Sequence, residues 1–222
     1  MAKDSFNWLI YKIHDSELQK AIKKYFKGHL LDIGCGIKPY KDLTKDFVQK
    51  HTGIDHSGTM HSKKEIDVFS DAYKIPFKEN SFDSVLCTCV IEHLEEPQTA
   101  LNEAFRLLKP GGIAIYTAPF IWHIHEEPRD FYRYSKYGFE YLSKKSGFEV
   151  VELIALSGFW VTFAQLLCYN LARFNRSIIR ISRIMNVVYF IIQRTAYLLE
   201  KIDKTEKWTW CYLAVLKKPE LK

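Results

Sequence analysis

Three aspartates and one glycine turn carry the first readable chemistry in this chain. Asp32, Asp55 and Asp71 each follow a short apolar run, and Gly34-Cys35-Gly36 comes directly after the first of them. Two glycines one residue apart let a backbone bend sharply and let a ligand approach with no Cβ in the way. Asp55 lies about 20 residues beyond the turn, the spacing at which a carboxylate holds a ribose hydroxyl pair. Asp71 is then placed to face a base, accepting from an exocyclic amine. The three acids at three strand ends point to a nucleoside site. Pro39 stands where a dinucleotide fingerprint needs its third glycine, and no Gly-Lys-Ser/Thr phosphate loop is present. An adenosine ligand without a pyrophosphate fits best.

A second chemical stretch runs from Ala118 to Ser135 and is dense in His, acid, Arg and aromatics. His125 and Asp130 are the candidates for a base or for a group that orients one, because imidazole titrates near neutral pH. Arg133 either binds an anionic acceptor group or pairs with Asp130. These three, His125, Asp130 and Arg133, form the candidate catalytic set. His123, His125 and Glu126 are ligand types, but no further ligand cluster is evident, and no metal is expected.

Strand signals separated by helical ones position these residues. One or two amphipathic helices are predicted between residues 5 and 27, with His14-Asp15-Ser16 as the break if there are two. Strands follow at Leu30–Ile33, Thr52–Asp55, Ile66–Phe69, Ser84–Cys87, Ile113–Thr117, Phe148–Leu156 and Trp210–Leu216. Helices are predicted at Tyr40–Lys50, Gln98–Leu108 and Ser135–Ser146. Strands spaced by helices mean βαβ units and a mostly parallel sheet. At 222 residues the chain fits one domain. The expected division is residues 1–27 as N-terminal helices, 28–156 as the cofactor-binding core, 157–208 as a helical insertion and 209–217 as the last strand. The five cysteines have no paired spacing beyond Cys87-x-Cys89 and read as buried thiols in a reducing compartment. The N-terminus mixes Lys, Asp and Asn with apolar residues, so no secretory leader is expected and a cytoplasmic location is.

The net charge of +6 is unevenly placed. Leu153 to Leu199 holds no acid and no lysine but five arginines, Arg173, Arg176, Arg180, Arg183 and Arg194. The rest of the chain is close to neutral, which disfavours a general nucleic-acid-binding surface. Arg173, Arg176, Arg180 and Arg183 recur at three, four and three residues, one helix face. With apolar residues between them they suggest contact with an anionic membrane surface, or a packed helical cap with solvated arginines. Leu153–Ala172 is 20 residues without charge. A spanning helix there would strand the last strand on the wrong side of a bilayer, so peripheral association is the expectation.

The ordered set Leu31-Asp32-Ile33-Gly34-Cys35-Gly36, Gly53-Ile54-Asp55, Ser70-Asp71-Ala72, Phe82-Asp83-Ser84-Val85, Val90-Ile91-Glu92-His93-Leu94 and Arg106-Leu107-Leu108-Lys109-Pro110-Gly111-Gly112 resembles class I S-adenosylmethionine-dependent methyltransferases. The likeness is to the broad group that includes the ubiquinone and menaquinone enzymes. It covers residues 28 to about 150 and the final strand. It implies an α/β, Rossmann-like doubly wound sheet of seven strands, mostly parallel with an antiparallel last strand. It implies S-adenosylmethionine as cofactor, with Gly34, Cys35 and Gly36 beneath its methionine part and Asp32 near its amino end. Asp55 would hold the ribose, Asp71 with Ala72 the adenine, and Thr88 would complete the wall. Glu92-His93 is typical of the family and reads equally as a structural helix start. The run from His125 to Ser135 is similar to one in methyltransferases of bacterial surface-polysaccharide pathways. The expected activity is methyl transfer to a small-molecule or lipid- or glycan-linked acceptor, at oxygen. The alternatives are a non-catalytic membrane-associated module that kept the fold, or a nucleic-acid methyltransferase. The latter is weakened because Cys87-Thr88-Cys89-Val90 replaces the Asn/Asp-Pro-Pro-aromatic of base amino-methyltransferases. Association of identical copies stays open.

Overall fold

Seven strands form one sheet in the order β3-β2-β1-β4-β5-β7-β6. The computed structural model describes residues 6–59, 62–173, 182–203 and 205–220. The elements are α1 (Trp8–Tyr25), β1 (His29–Ile33), α2 (Lys41–Thr44), β2 (Lys50–Asp55), β3 (Val68–Phe69), β4 (Phe82–Thr88), α3 (Pro97–Leu107), β5 (Leu108–Pro119), α4 (Lys136–Lys145), β6 (Glu149–Ala155), α5 (Phe159–Ala172), α6 (Ser182–Ile202) and β7 (Cys211–Lys217). Strands β1, β2, β3, β4 and β5 pair in parallel, with Asp32 beside Gly53 on one side and Leu86 on the other. The last strand runs the other way: the Gly111 N–H donates to Lys218 O, and the Phe120 N–H to Trp210 O. The fold is therefore the doubly wound α/β sheet with a reversed final strand.

Burial explains the pattern. Leu30, Leu31, Val85, Leu86, Ala114, Ile115, Leu213 and Val215 are fully or almost fully buried. A strand covered on both faces reads as a continuous apolar run rather than an alternating one. The chain order doubles back between β1 and β4, and at that reversal the carboxyl ends of the two strands leave a crevice.

Two compact units are present, Met1–Glu17 with Phe120–His123 and Ala155–Cys211, and Leu18–Pro119 with Ile124–Ile154 and Tyr212–Lys222. In the first, α5 and α6 pack as a pair. Glu200 of α6 accepts from the backbone N–H groups of Gly158 and Val161, which caps the start of α5. Gln193 accepts from Leu9 N at 2.8 Å, and Gln165 donates to Asn7 Oδ1 at 2.8 Å. The second unit holds most of the sheet.

Of the one or two helices expected before β1 the structure has one, unbroken at His14-Asp15-Ser16. His14 is buried, its ring 6.3 Å from that of Trp210, so the position serves packing rather than a turn. The predicted helix Tyr40–Lys50 ends at Thr44, because β2 already begins at Lys50 and pairs with His29. The third strand shortens to two residues.

Candidate active site

Gly34 follows β1 and Val90 lies just past the end of β4, on the two sides of the reversal. Gly34 has φ +69°, and a Cβ there would meet Val90 Cγ2 at 2.5 Å, so only glycine fits. Around this contact opens a cleft whose empty volume is about 380 Å³. Ile33, Ile54, Val90 and Leu94 give it apolar walls, and Asp55, Asp71 and Arg129 give it polar ones.

Asp55 closes β2 and is buried. Its Oδ2 accepts from Gly36 N at 2.9 Å and its Oδ1 from His56 N at 2.8 Å. One carboxylate thus clamps the glycine turn and its own strand end, and each oxygen retains a further lone pair for a ligand hydroxyl. Asp71 accepts from Tyr73 N and Lys74 N through Oδ1, an Asx turn that fixes the backbone of Ala72 at the cleft wall. Of the eight sequence-expected cofactor residues, Gly34, Asp55, Asp71 and Ala72 line the cleft.

Asp32, Cys35, Gly36 and Thr88 stand behind or beside it. Asp32 is buried, with His51 Nε2 2.9 Å from its Oδ2. Burial raises its carboxyl above the usual range, and His51 opposes that. Burial, with help from the charges of Asp32 and Asp55, pushes the Cys35 thiol up to about 12. Cys35 packs against Gly53, where a Cβ would lie 2.7 Å from its sulfur. Thr88 ends β4 in register with Thr117. Lys38, close by, is taken by Asp67, which it reaches at 2.6 Å, and so offers no phosphate anchor.

Beyond β4 the chain turns through Cys89, a non-glycine residue at φ +50°, into a 3-10 turn at Ile91–His93. The loop expected to carry the chemistry docks on that turn. Glu92 O accepts from Phe131 N and Tyr132 N, and the Tyr134 hydroxyl donates to Ile91 O at 3.0 Å. This brings His125, Asp130 and Arg133 together. Arg133 forms a two-pronged pair with Asp130, at 2.6 and 2.7 Å, and Asp130 Oδ2 accepts from His125 N at 2.9 Å. Burial works to raise the Asp130 carboxyl, but Arg133 and the His125 N–H hold it at about 2. Asp130 therefore stays ionised at neutral pH. Arg133 pairs with Asp130, one of its two sequence-stated roles.

Glu92 and His93, a pair that the sequence reads equally as a structural helix start, belong to this site. Glu92 is completely buried, and among the described residues neither carboxylate oxygen has a hydrogen-bond partner. Burial, reinforced by Cys89, pushes its carboxyl well above the usual range. His93 Nδ1 lies 2.5 Å from Arg129 O. A carbonyl only accepts, so Nδ1 carries the proton and Nε2 keeps its lone pair in the neutral ring. The His93 and His125 rings meet edge to face, 4.8 Å apart. Arg129 was missed by sequence reasoning. Arg129 lines the cleft and its carbonyl holds His93, so it joins the two halves of the site. His123 is elsewhere, its ring 4.2 Å from Tyr169.

A family model described as a methyltransferase domain matches residues 31–116. The uncharacterized protein MJ1123 of Methanocaldococcus jannaschii is 33% identical over 162 residues, 69% of this chain and 73% of that protein. The chain belongs to the S-adenosylmethionine-dependent methyltransferases. A ubiquinone/menaquinone biosynthesis C-methyltransferase of Roseobacter denitrificans is 49% identical over 79 residues, 36% of this chain and 31% of that enzyme. Among solved structures, a putative methyltransferase from Bacillus halodurans has a TM-score of 0.60 at 20% identity, covering 92% of this chain and 99% of that one, and shares the fold. The chain spans 37% of the length of the first curated relatives that it matches.

The cofactor of this family is S-adenosylmethionine, and the cleft fits it. A cradle that any Cβ at Gly34 would fill suits the close approach of a ligand. The donor set offers a carboxylate for vicinal hydroxyls, apolar walls for a base and no lysine for a pyrophosphate.

Proposed function

We propose that this chain transfers a methyl group from S-adenosylmethionine to an oxygen of a small-molecule or lipid- or glycan-linked acceptor. The observation that carries this reading is one residue with two roles. Arg129 lines the cleft, and its carbonyl fixes the tautomer of His93 in the cluster next to it. Cofactor floor and proton-handling groups are thus built on one piece of backbone.

The cofactor supplies a methyl already activated on a sulfonium sulfur. The residues of this chain align, desolvate and handle the proton. Asp55 holds the ribose hydroxyls, with Asp71 and Ala72 at the adenine edge. Asp32, Cys35, Gly36 and Thr88 support that floor from behind. His125 takes the acceptor proton, with Asp130 and Arg133 as positioning residues that fix its backbone and ring. An imidazole suits a hydroxyl acceptor near neutral pH.

A specific observation favours a lipid-linked acceptor. The exposed residues Ile184, Val187, Ile191, Leu198 and Ile202 of α6 fall within one narrow stripe of the helix, opposite the buried Tyr189, Gln193 and Ala196. No acid occurs in that segment before Glu200. Such a stripe in a basic segment suits the interface of an anionic membrane. Arg176 and Arg180 of the expected basic face lie outside the described residues. No helix among the described residues is long and apolar enough to cross a membrane.

The test is incubation with S-adenosylmethionine and a panel of glycan, lipid and quinone precursors. A product one methyl heavier, its methyl carbon at an O-methyl shift by NMR, supports the reading. A methyl on carbon or nitrogen overturns the oxygen assignment. Failure of calorimetry to detect cofactor binding favours the non-catalytic module.

A further inference from the structure

Glu92, His93 and His125 each present one ligand atom, and these atoms all lie within 4.8 Å of one another. Ligands of one tetrahedral first-row ion at about 2.0–2.2 Å stand about 3.3–3.6 Å apart, so the widest pair must close by about 1 Å, a side-chain rotation of the two imidazoles. Glu92 supplies a second, independent observation. Its carboxylate is fully buried, has no hydrogen-bond partner on either oxygen among the described residues, and points Oε1 toward His93 Nε2 at 3.8 Å. Burying a polar group without partners is costly, more so if it is charged, so its retention calls for a partner.

We propose that Glu92, His93 and His125 hold one divalent cation of the zinc class at the end of the cofactor cleft. Two imidazoles and one carboxylate select a borderline first-row ion over magnesium or calcium, which prefer all-oxygen sets. The outer contacts are those of a metal site. His93 gives its Nδ1 proton to Arg129 O, which fixes its ring and turns Nε2 toward the cluster, and His125 Nδ1 stands 3.4 Å from Asp130 Oδ2 and 3.5 Å from Arg133 Nη2. Glu126 Oε2 stands 3.9 Å from His93 Nε2 at the solvent side, near the remaining coordination position. Sequence alone pointed away from a metal, because the matching ligands Glu92 and His93 sit 33 and 32 residues before His125 rather than beside it.

Binding of the ion stands by itself. With the ion bound, His125 is a ligand rather than the base, and the ion as a Lewis acid would take over activation of the acceptor hydroxyl, whose proton would pass to solvent; that use rests on the methyl-transfer reading.

The experiment is titration of chelator-stripped protein with zinc by calorimetry, and with cobalt by visible absorption, both without cofactor. One ion per chain, with cobalt bands of a low-coordinate site, is expected. His125→Ala and His93→Ala should each weaken binding at least about 100-fold, since loss of an outer contact alone costs 10–100-fold. His56→Ala, which alters the cleft but not the cluster, should bind as the parent does. Because Glu92→Gln risks misfolding, the two histidine variants carry the test, with circular dichroism to verify their fold. Absence of stoichiometric binding by the parent, or equal binding by both histidine variants, overturns the site. Cofactor titration in the same samples separates the two readings. Protein that takes up metal but fails to bind added S-adenosylmethionine overturns methyl transfer alone, and protein that binds S-adenosylmethionine but no metal overturns the site alone.

Discussion

Gly34 is the residue on which cofactor binding turns most sharply. Alanine there would be placed 2.5 Å from Val90 in a left-handed conformation, so Gly34→Ala should abolish S-adenosylmethionine binding by calorimetry. Asp55→Asn retains an acceptor but replaces the other oxygen with a donor facing either Gly36 N or His56 N. Cofactor affinity should fall by about 10- to 100-fold, since a charge-assisted hydrogen bond contributes about 1.5–3 kcal/mol. Asp83 makes a contrasting case. It accepts from His29 N and Lys109 Nζ, both at 2.8 Å. Burial works to raise its carboxyl, but these two partners hold it below the ordinary range. The stability it contributes is therefore present above the unfolded carboxylate pKa and is lost as pH falls through the lower folded value. Denaturant melts of Asp83→Asn should show a deficit at pH 7 that shrinks toward zero in strong acid. Asp83 belonged to the family-like set in the sequence, and its place in the fold is structural. Asp55, Gly34, Asp71 and Ala72 were legible because their chemistry follows directly from strand ends. The partnership of Asp32 with His51 was not, because it arises only when β1 and β2 pair with Leu30 beside His51.

At the scale of elements, α3 anchors the segment that follows Asp71 and Ala72 of the cleft wall. Arg106 bonds both oxygens of Glu103 at 2.7 Å and reaches the carbonyls of Ile75 and Phe77, while Glu103 accepts from Ile75 N. A lysine cannot reproduce that fork. Arg106→Lys should lower the melting temperature and raise the Kd for S-adenosylmethionine several-fold through a looser 71–77 segment, measured by differential scanning fluorimetry and calorimetry. Helix α3, the short β2 strand and α4 with its Ser135 cap were legible from periodicity and turn residues. The continuous α1 and the brevity of α2 were not. Local cap signals at His14-Asp15-Ser16 lose to tertiary packing, and the predicted second helix loses its last turn to strand pairing. The loop from His125 to Tyr134 was legible as a list of residue types. Its docking on Glu92 and Ile91 depends on backbone contacts that no sequence spacing reports.

On the scale of the whole molecule, the basic and apolar character of the segment before β7 sets the expected environment. Co-sedimentation with anionic vesicles at low salt should recover the protein, and neutral vesicles should not. Val187→Glu with Ile191→Glu should release it, since both side chains are exposed on α6 and their replacement disturbs no buried contact. The doubly wound sheet and its reversed last strand were legible from the family-like set. The association of the N-terminal segment with α5 and α6 was not, because nothing in composition marks Leu9 and Asn7 as partners of Gln193 and Gln165.

The position of β7 bears on how the protein is made. This strand lies between β5 and β6, and its residues Cys211–Leu216 are all buried. During synthesis β5 emerges about a hundred residues ahead of its neighbour, so one of its edges stays open while the ribosome reads through α5 and α6. An open apolar edge is a template for pairing with other chains. Nascent chains arrested between residues 160 and 205 should therefore bind trigger-factor-type holdases and aggregate on release, and acquire protease resistance only once β7 has left the exit tunnel.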